Sequence, residues 1–205
     1  MSAAVDARLF NWRFLVPGEP AGLLLLPADA ETLPGAVAAE RGAFRPAQLD
    51  RRYPAVAVPD LAAWVPSGRP AKTSSLLATL AAAVAPGGWL CVGFPNRWYP
   101  AAPLRAGSLS LRDALDVIQR AGLTGPQIYA ALPDQRRAAY LVPLARPAEM
   151  NHMLRFFFET SIPARGRAAF AGRRIMSAAR RAALAAPRAR RHLVPAYYLV
   201  AGRPQ

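Results

Sequence analysis

The sequence has little that would staple, anchor or ligate. Cys91 is the single cysteine among 205 residues, so no internal disulfide framework can form. The two histidines, His152 and His192, are 40 positions apart with no cysteine or carboxylate at ligand spacing, which argues against a zinc site. Acidic residues number 12 against 26 basic ones, and Lys72 is the one lysine beside 25 arginines. The longest apolar runs, LLLL at 23–26 and the alanine-rich stretch 76–85, fall far short of the ~20 residues of a membrane span. The opening MSAAVDARLFNWRF lacks the apolar core of a signal peptide, and no GxSxG nucleophile elbow occurs. These absences leave cytoplasmic residence as the expectation, with no metal site.

What is present is a hydrophobic fraction of 53% with 19% charged residues, a balance that folds rather than stays disordered. A chain of this length suits one domain over 1–205. Its 45 alanines, 21 prolines and arginine-for-lysine usage all follow GC-rich codons, so part of the bias is genomic. The charge is uneven. Residues 1–100 carry 9 basic and 7 acidic groups, whereas 151–205 carry 11 arginines against Glu159 alone. An acidic partner or surface would meet the C-terminal quarter.

Along the chain, WRFLV at 12–16 reads as a strand or extended arm before the turn signal PGEP. GLLLLPA at 22–28 reads as a strand buried on both faces. A short helix is expected over 31–41, ending at Gly42, and a strand within 51–61. Thr73 or Ser74 can cap a helix through LLATLAAAVA, stopped by PGG at 86–88. WLCVGFP at 89–95 is the clearest strand. Ser110 opens an amphipathic helix with Leu111, Leu115 and Ile118 at helical spacing and Gly122 as its stop. Strands at 126–132 and 138–144 flank the turn PDQRR, a helical region covers 147–186 with a break near Pro163, and 192–202 closes as a strand. Alternating strands and helices that end in antiparallel strands predict an α/β fold: a Rossmann-like, mostly parallel sheet with antiparallel C-terminal edge strands, and a basic helical insertion at 147–191 before the last strand.

PGGWLCVGFPNR at 86–97, the AGL at 121–123, the strand pair in YAALPDQRRAAYLVPL at 129–144 and the closing YYLVAGRP at 197–204 resemble the C-terminal half of class I S-adenosylmethionine-dependent methyltransferases. The resemblance spans roughly 53–205, and Leu-Pro-Asp at 132–134 with Asn-Arg at 96–97 is similar to a subgroup that modifies glycans or natural products. The first half departs from that family. A cofactor-binding member needs a glycine-rich turn after its first strand so that the backbone can approach the nucleoside. Here GLLLLPA runs into DAETLPG, and Pro27 has no amide hydrogen to offer. Only about 25 residues then separate Pro27 from the strand that resembles the family's fourth, too few for two further strand–helix units of ~30 residues each. The resemblance therefore implies a truncated methyltransferase-like fold with a lost or reshaped cofactor pocket.

Within it, Asp60 stands where the fourth strand of the family ends near the reacting group, and is the candidate catalytic residue. The plainer reading makes it a loop carboxylate paired with Arg69 or Lys72. Asn96, Arg97 and Trp98, at the ligand-binding edge of an open α/β sheet, are the cofactor candidates if the protein is an active methyltransferase using S-adenosylmethionine; Trp98 and Tyr99 otherwise plug a vacated cleft. GRPAKTSS at 68–75 is faintly like a phosphate-binding loop but has Ala71 where that motif needs glycine. Phe156, Phe157 and Phe158 cannot all share one helical face, which favours a protein contact. Arg173–Arg174 and Arg180–Arg181, seven positions apart, form one stripe. That stripe is a solvated face, a lipid-surface helix or a dock for an acidic partner; nucleic acid has no fingerprint here. Two functions follow: an accessory protein without a cofactor that supports a partner enzyme or acidic leader peptide in natural-product, modified-peptide or surface-glycan biosynthesis, or a working methyltransferase with a non-standard cofactor site.

Overall fold

The computed structural model describes residues 7–16, 22–25, 38–40, 52–65, 70–99, 107–160 and 191–205. Their elements are a 3-10 helix at Ala7–Leu15, β1 (Leu23–Leu25), β2 (Ala38–Glu40), β3 (Tyr53–Val58), a short 3-10 turn at Leu61–Trp64, α1 (Pro70–Ala82), β4 (Val84–Pro95), α2 (Leu111–Arg120), β5 (Thr124–Leu132), β6 (Tyr140–Pro143), α3 (Pro147–Thr160) and β7 (Ala196–Gly202). The strands form one sheet in the order β2-β1-β3-β4-β7-β5-β6. The first four are parallel, β7 enters antiparallel between β4 and β5, and β6 returns antiparallel along the outer side of β5. This is the α/β, Rossmann-like sheet with reversed C-terminal strands that the alternation implied. No described helix is long and apolar enough to cross a membrane.

The central strands are apolar throughout because both faces are covered. One face carries the bulk: Val56 and Val58 of β3, Leu90, Val92 and Phe94 of β4, and Tyr197 and Leu199 of β7. Against it, α1 sets Leu76, Leu77, Leu80 and Ala81, with Thr73 also fully buried, an i, i+3, i+4 stripe. The opposite face is a floor of small residues, Ala57, Cys91, Ala131 and Ala196, on which Trp12 and Tyr198 lie. Arg203, past the end of β7, donates from Nη2 to the Ala81 carbonyl at 2.8 Å and so caps the C-terminal turn of α1.

Three elements differ from the sequence expectation. Residues 12–15 belong to a 3-10 helix and Val16 to the bend after it, not to a strand, because Trp12, Leu15 and Val16 at i, i+3, i+4 spacing all pack onto the small-residue floor. The helix expected over 31–41 is contradicted at its end, where Ala38–Glu40 is β2, paired parallel to β1; pairing along an open strand edge outweighs the helix preference of alanine. Helix α1 begins at Pro70 rather than at a Thr73 or Ser74 cap and ends at Ala82, so the PGG at 86–88 lies inside β4 instead of stopping the helix. Proline suits the first helical position, and Thr73 turns inward instead. Helix α2 starts as expected, with Ser110 Oγ accepting from the Asp113 amide at 3.0 Å.

Candidate functional site at the carboxyl edge of β3 and β4

Strands β3 and β4 end side by side, with Val58 opposite Val92, and the chain then turns so that Pro59 and Asp60 cross beside Gly93. Asp60 is 1% exposed. Of the partners expected for it, Arg69 lies outside the described residues and Lys72 is exposed on α1. Gln135 donates from Nε2 to Asp60 Oδ1 at 2.9 Å, and Arg136 donates from Nε to Oδ2 in an ion pair. Both come from the tip of the β5–β6 hairpin. Asp134 shapes that tip by accepting the Arg136 and Arg137 amides at 2.8 and 2.9 Å, an Asx-type turn. Tyr198 Oη donates to the Gln135 carbonyl at 2.6 Å, and Asn11 Nδ2 donates to the Ala138 carbonyl at 2.6 Å. The hairpin tip is thus fastened over Asp60 from three sides.

Burial sets the acidity of the groups beneath it. It pushes the Cys91 thiol far above the ordinary thiol range and the Tyr198 phenol well above its own, the latter raised further by Cys91, Asp60 and Asp134 nearby. Tyr197 is raised by burial too, with Arg191 opposing. A thiol held protonated in this way is not a nucleophile at neutral pH.

Asn96, at the end of β4, is also buried and fully engaged. Its amide nitrogen donates to the carbonyls of Arg191 at 3.0 Å and Val194 at 2.8 Å, and its Oδ1 accepts the Trp98 amide at 3.0 Å. It ties the entry of β7 to the exit of β4. Arg97 and Trp98, which follow it, are exposed. The Arg97 guanidinium lies 5.6 Å from the centre of the Trp98 ring, and Trp98 is 57% exposed. They border a cleft of about 660 Å³ closed by the first turns of α2 and by residues 191 and 192. Trp98 therefore lines a cleft and does not plug one.

The structure separates the residues that the sequence singled out. Asp60 sits under the hairpin, whereas Asn96, Arg97 and Trp98 belong to the β4–α2 cleft. Phe156 is 42% exposed and meets Tyr140 edge-on at 5.8 Å; the Phe157 and Phe158 side chains, the stripe Arg173, Arg174, Arg180 and Arg181, and the crossover at 26–31 lie outside the described residues. Gln135, Arg136 and Tyr198 were missed. PDQRR reads locally as a turn, and nothing in it marks Gln135 for burial beneath a strand end 75 residues away. Among the described residues no three metal-ligating side chains gather.

Replacing Arg136 by alanine leaves the Asp60 carboxylate buried with Gln135 as its remaining side-chain partner among the described residues. Breaking a fully buried pair costs about 3–5 kcal/mol, but the Arg136 side chain is 52% exposed, so solvent screening reduces the expected loss to roughly 2 kcal/mol. Urea unfolding checks this, with Arg112→Ala, on the exposed side of α2, expected to stay within about 0.5 kcal/mol of the parent.

Strand order and direction define an α/β, Rossmann-like sheet whose C-terminal strands run antiparallel. No family model and no curated protein sequence matches the chain. Among solved structures it is similar to the [4+2]-cyclase SpnF, at 11% identity and a TM-score of 0.37, over 81% of this chain and 56% of that one. It is also similar to phospholethanolamine N-methyltransferase 2 of Haemonchus contortus, solved with phosphomonomethylethanolamine and S-adenosylhomocysteine, at 12% identity and a TM-score of 0.30, over 65% of this chain and 30% of that one. The chain spans little more than half the length of the first and under a third of the second.

Proposed function

We propose that this protein is a methyltransferase-fold accessory protein that holds no S-adenosylmethionine and supports a partner enzyme or an acidic leader peptide in a biosynthetic pathway, either natural-product and modified-peptide assembly or surface-glycan assembly. One observation carries the reading: Asp60 is 1% exposed and has both carboxylate oxygens occupied by Gln135 and Arg136. A carboxylate so engaged is not offered to a substrate, because displacing its partners would leave a buried charge uncompensated. Asn96 is spent in the same sense, on two carbonyls and the Trp98 amide. The donor set therefore does not fit an adenosyl group at these positions, and we derive no methyl-transfer step. Pro27 and the short interval before β3 support the same reading through a truncated first half without a glycine turn. The partner contact is assigned to the arginine pairs 173–174 and 180–181 together with Phe156, Phe157 and Phe158, in keeping with 11 arginines against one acid in residues 151–205.

Isothermal calorimetry with S-adenosylmethionine and with S-adenosylhomocysteine is expected to show no binding. Micromolar affinity for either would overturn the reading in favour of an active methyltransferase with a non-standard cofactor site.

A further inference from the structure

We propose that the cleft between the end of β4, the start of α2 and residues 191–192 binds a multiply charged oxyanion, carboxylate or phosphate. Three arginines line it, Arg97, Arg112 and Arg191. They come from three segments, the end of β4, the first turn of α2 and the approach to β7, which the fold brings to one cleft. Two acids, Asp113 and Asp116, share the same walls, and Arg112 precedes Asp116 by four residues on α2, the spacing at which helical ion pairs form. Yet the ion pairs Arg136–Asp60 and Arg146–Glu149 lie elsewhere, and among the described residues none is found for these three arginines. The cleft is left with more positive than negative charge, and a concave low-dielectric wall concentrates that field. A volume of about 660 Å³ lies within the ~300–1,000 Å³ of small-ligand pockets and holds several charged groups at once. Guanidinium forks bind carboxylate and phosphate alike, which is why the shared chemistry is named. Arg97 and Trp98 are also cofactor candidates, so the two questions are separated by their probes: the ligands used below carry no adenosyl group, and binding of either leaves the calorimetric result open.

Trp98 reports on the site, because it lines the cleft and is 57% exposed, while Trp12 and Trp64 are buried and the half-buried Trp89 packs on the small-residue face of the sheet. Tryptophan fluorescence of the full chain, titrated with inorganic pyrophosphate and separately with a hexaglutamate peptide, is expected to change saturably with at least one of them. Binding by pyrophosphate alone assigns the site to free phosphates, and binding by the peptide alone assigns it to a protein's carboxylates. The double variant Arg112→Ala/Arg191→Ala is expected to weaken binding by about tenfold or more, and Asp116→Asn to tighten it by roughly two- to threefold as a repelling charge is removed. Raising the salt should weaken it further. The proposal fails if neither probe does more than sodium chloride at matched ionic strength, or if the double variant, folded by circular dichroism, binds as tightly as the parent.

Discussion

Gly93→Ala is expected to destabilise the protein by about 4 kcal/mol or more, at the level where a domain of ordinary stability stops accumulating in folded form. The cause is backbone crowding. A Cβ at this position would overlap the Pro59 carbonyl oxygen, lie 2.9 Å from its carbon and sit 2.8 Å from Tyr198 Cε1. A tyrosine ring can shift by a few tenths of an ångström, but the Pro59 carbonyl belongs to the turn that follows β3 and cannot swing aside without moving Asp60. Glycine is used here for close approach of two backbones, not for an unusual dihedral angle. The contrast is Gly202→Ala in β7, where the nearest atom, Gly88 O, is 3.8 Å away. That substitution is expected to stay within about 1 kcal/mol of the parent and to gain slightly from a stiffer unfolded chain. Urea unfolding of the two variants side by side makes the comparison. Equal stabilities would mean that β4 does not pass this close to the end of β3, and the placing of Asp60 would go with it.

The same crossing shows how far a local reading of the chain reaches. β4, α2 with its Ser110 cap, the β5–β6 hairpin and β7 were legible, since each is announced by its own apolar pattern and its own stop residues. Residues 12–16 were not, because four apolar residues in five satisfy an alternating and a helical pattern nearly equally. What decides between them is a floor of alanines contributed by β3, β5 and β7. β2 was missed for a related reason. Ala38–Glu40 is strand through its pairing with β1, while its composition alone favours helix. At the site, Asp60 and Asn96 were recognisable by position at strand ends, but their roles depend on distant partners. Arg136 is 76 residues from Asp60, and Val194 is 98 from Asn96. Nothing in the local sequence marks Arg112, which the fold brings into one cleft with Arg97 and Arg191.

Alkaline pH is expected to unfold the protein through three groups that the fold keeps protonated. Cys91, Tyr197 and Tyr198 are all raised by burial from ordinary values of 9.0, 10.0 and 10.0. For an acid whose folded-state pKa is raised, the native state retains its proton while the unfolded chain releases it. Stability is therefore intact below pH 9 and falls as pH rises through the unfolded values, at about 1.4 kcal/mol per pH unit for each group. Cys91 acts first and both tyrosines join above pH 10, so the summed loss by pH 11 is about 5 kcal/mol, comparable with the whole stability of a marginal domain. Urea midpoints between pH 8 and 11 measure the slope. Cys91→Ala should remove most of the decline between pH 9 and 10 and leave the steeper limb above it, separating the thiol from the phenols. Tyrosinate absorbance gives an independent reading, because two of the six tyrosines should ionise only as the secondary structure melts. If all six titrate near pH 10 with the far-ultraviolet circular dichroism unchanged, Tyr198 is open to water. The hairpin tip it helps to hold would then not be sealed over Asp60, and the argument against a catalytic Asp60 would lose its footing.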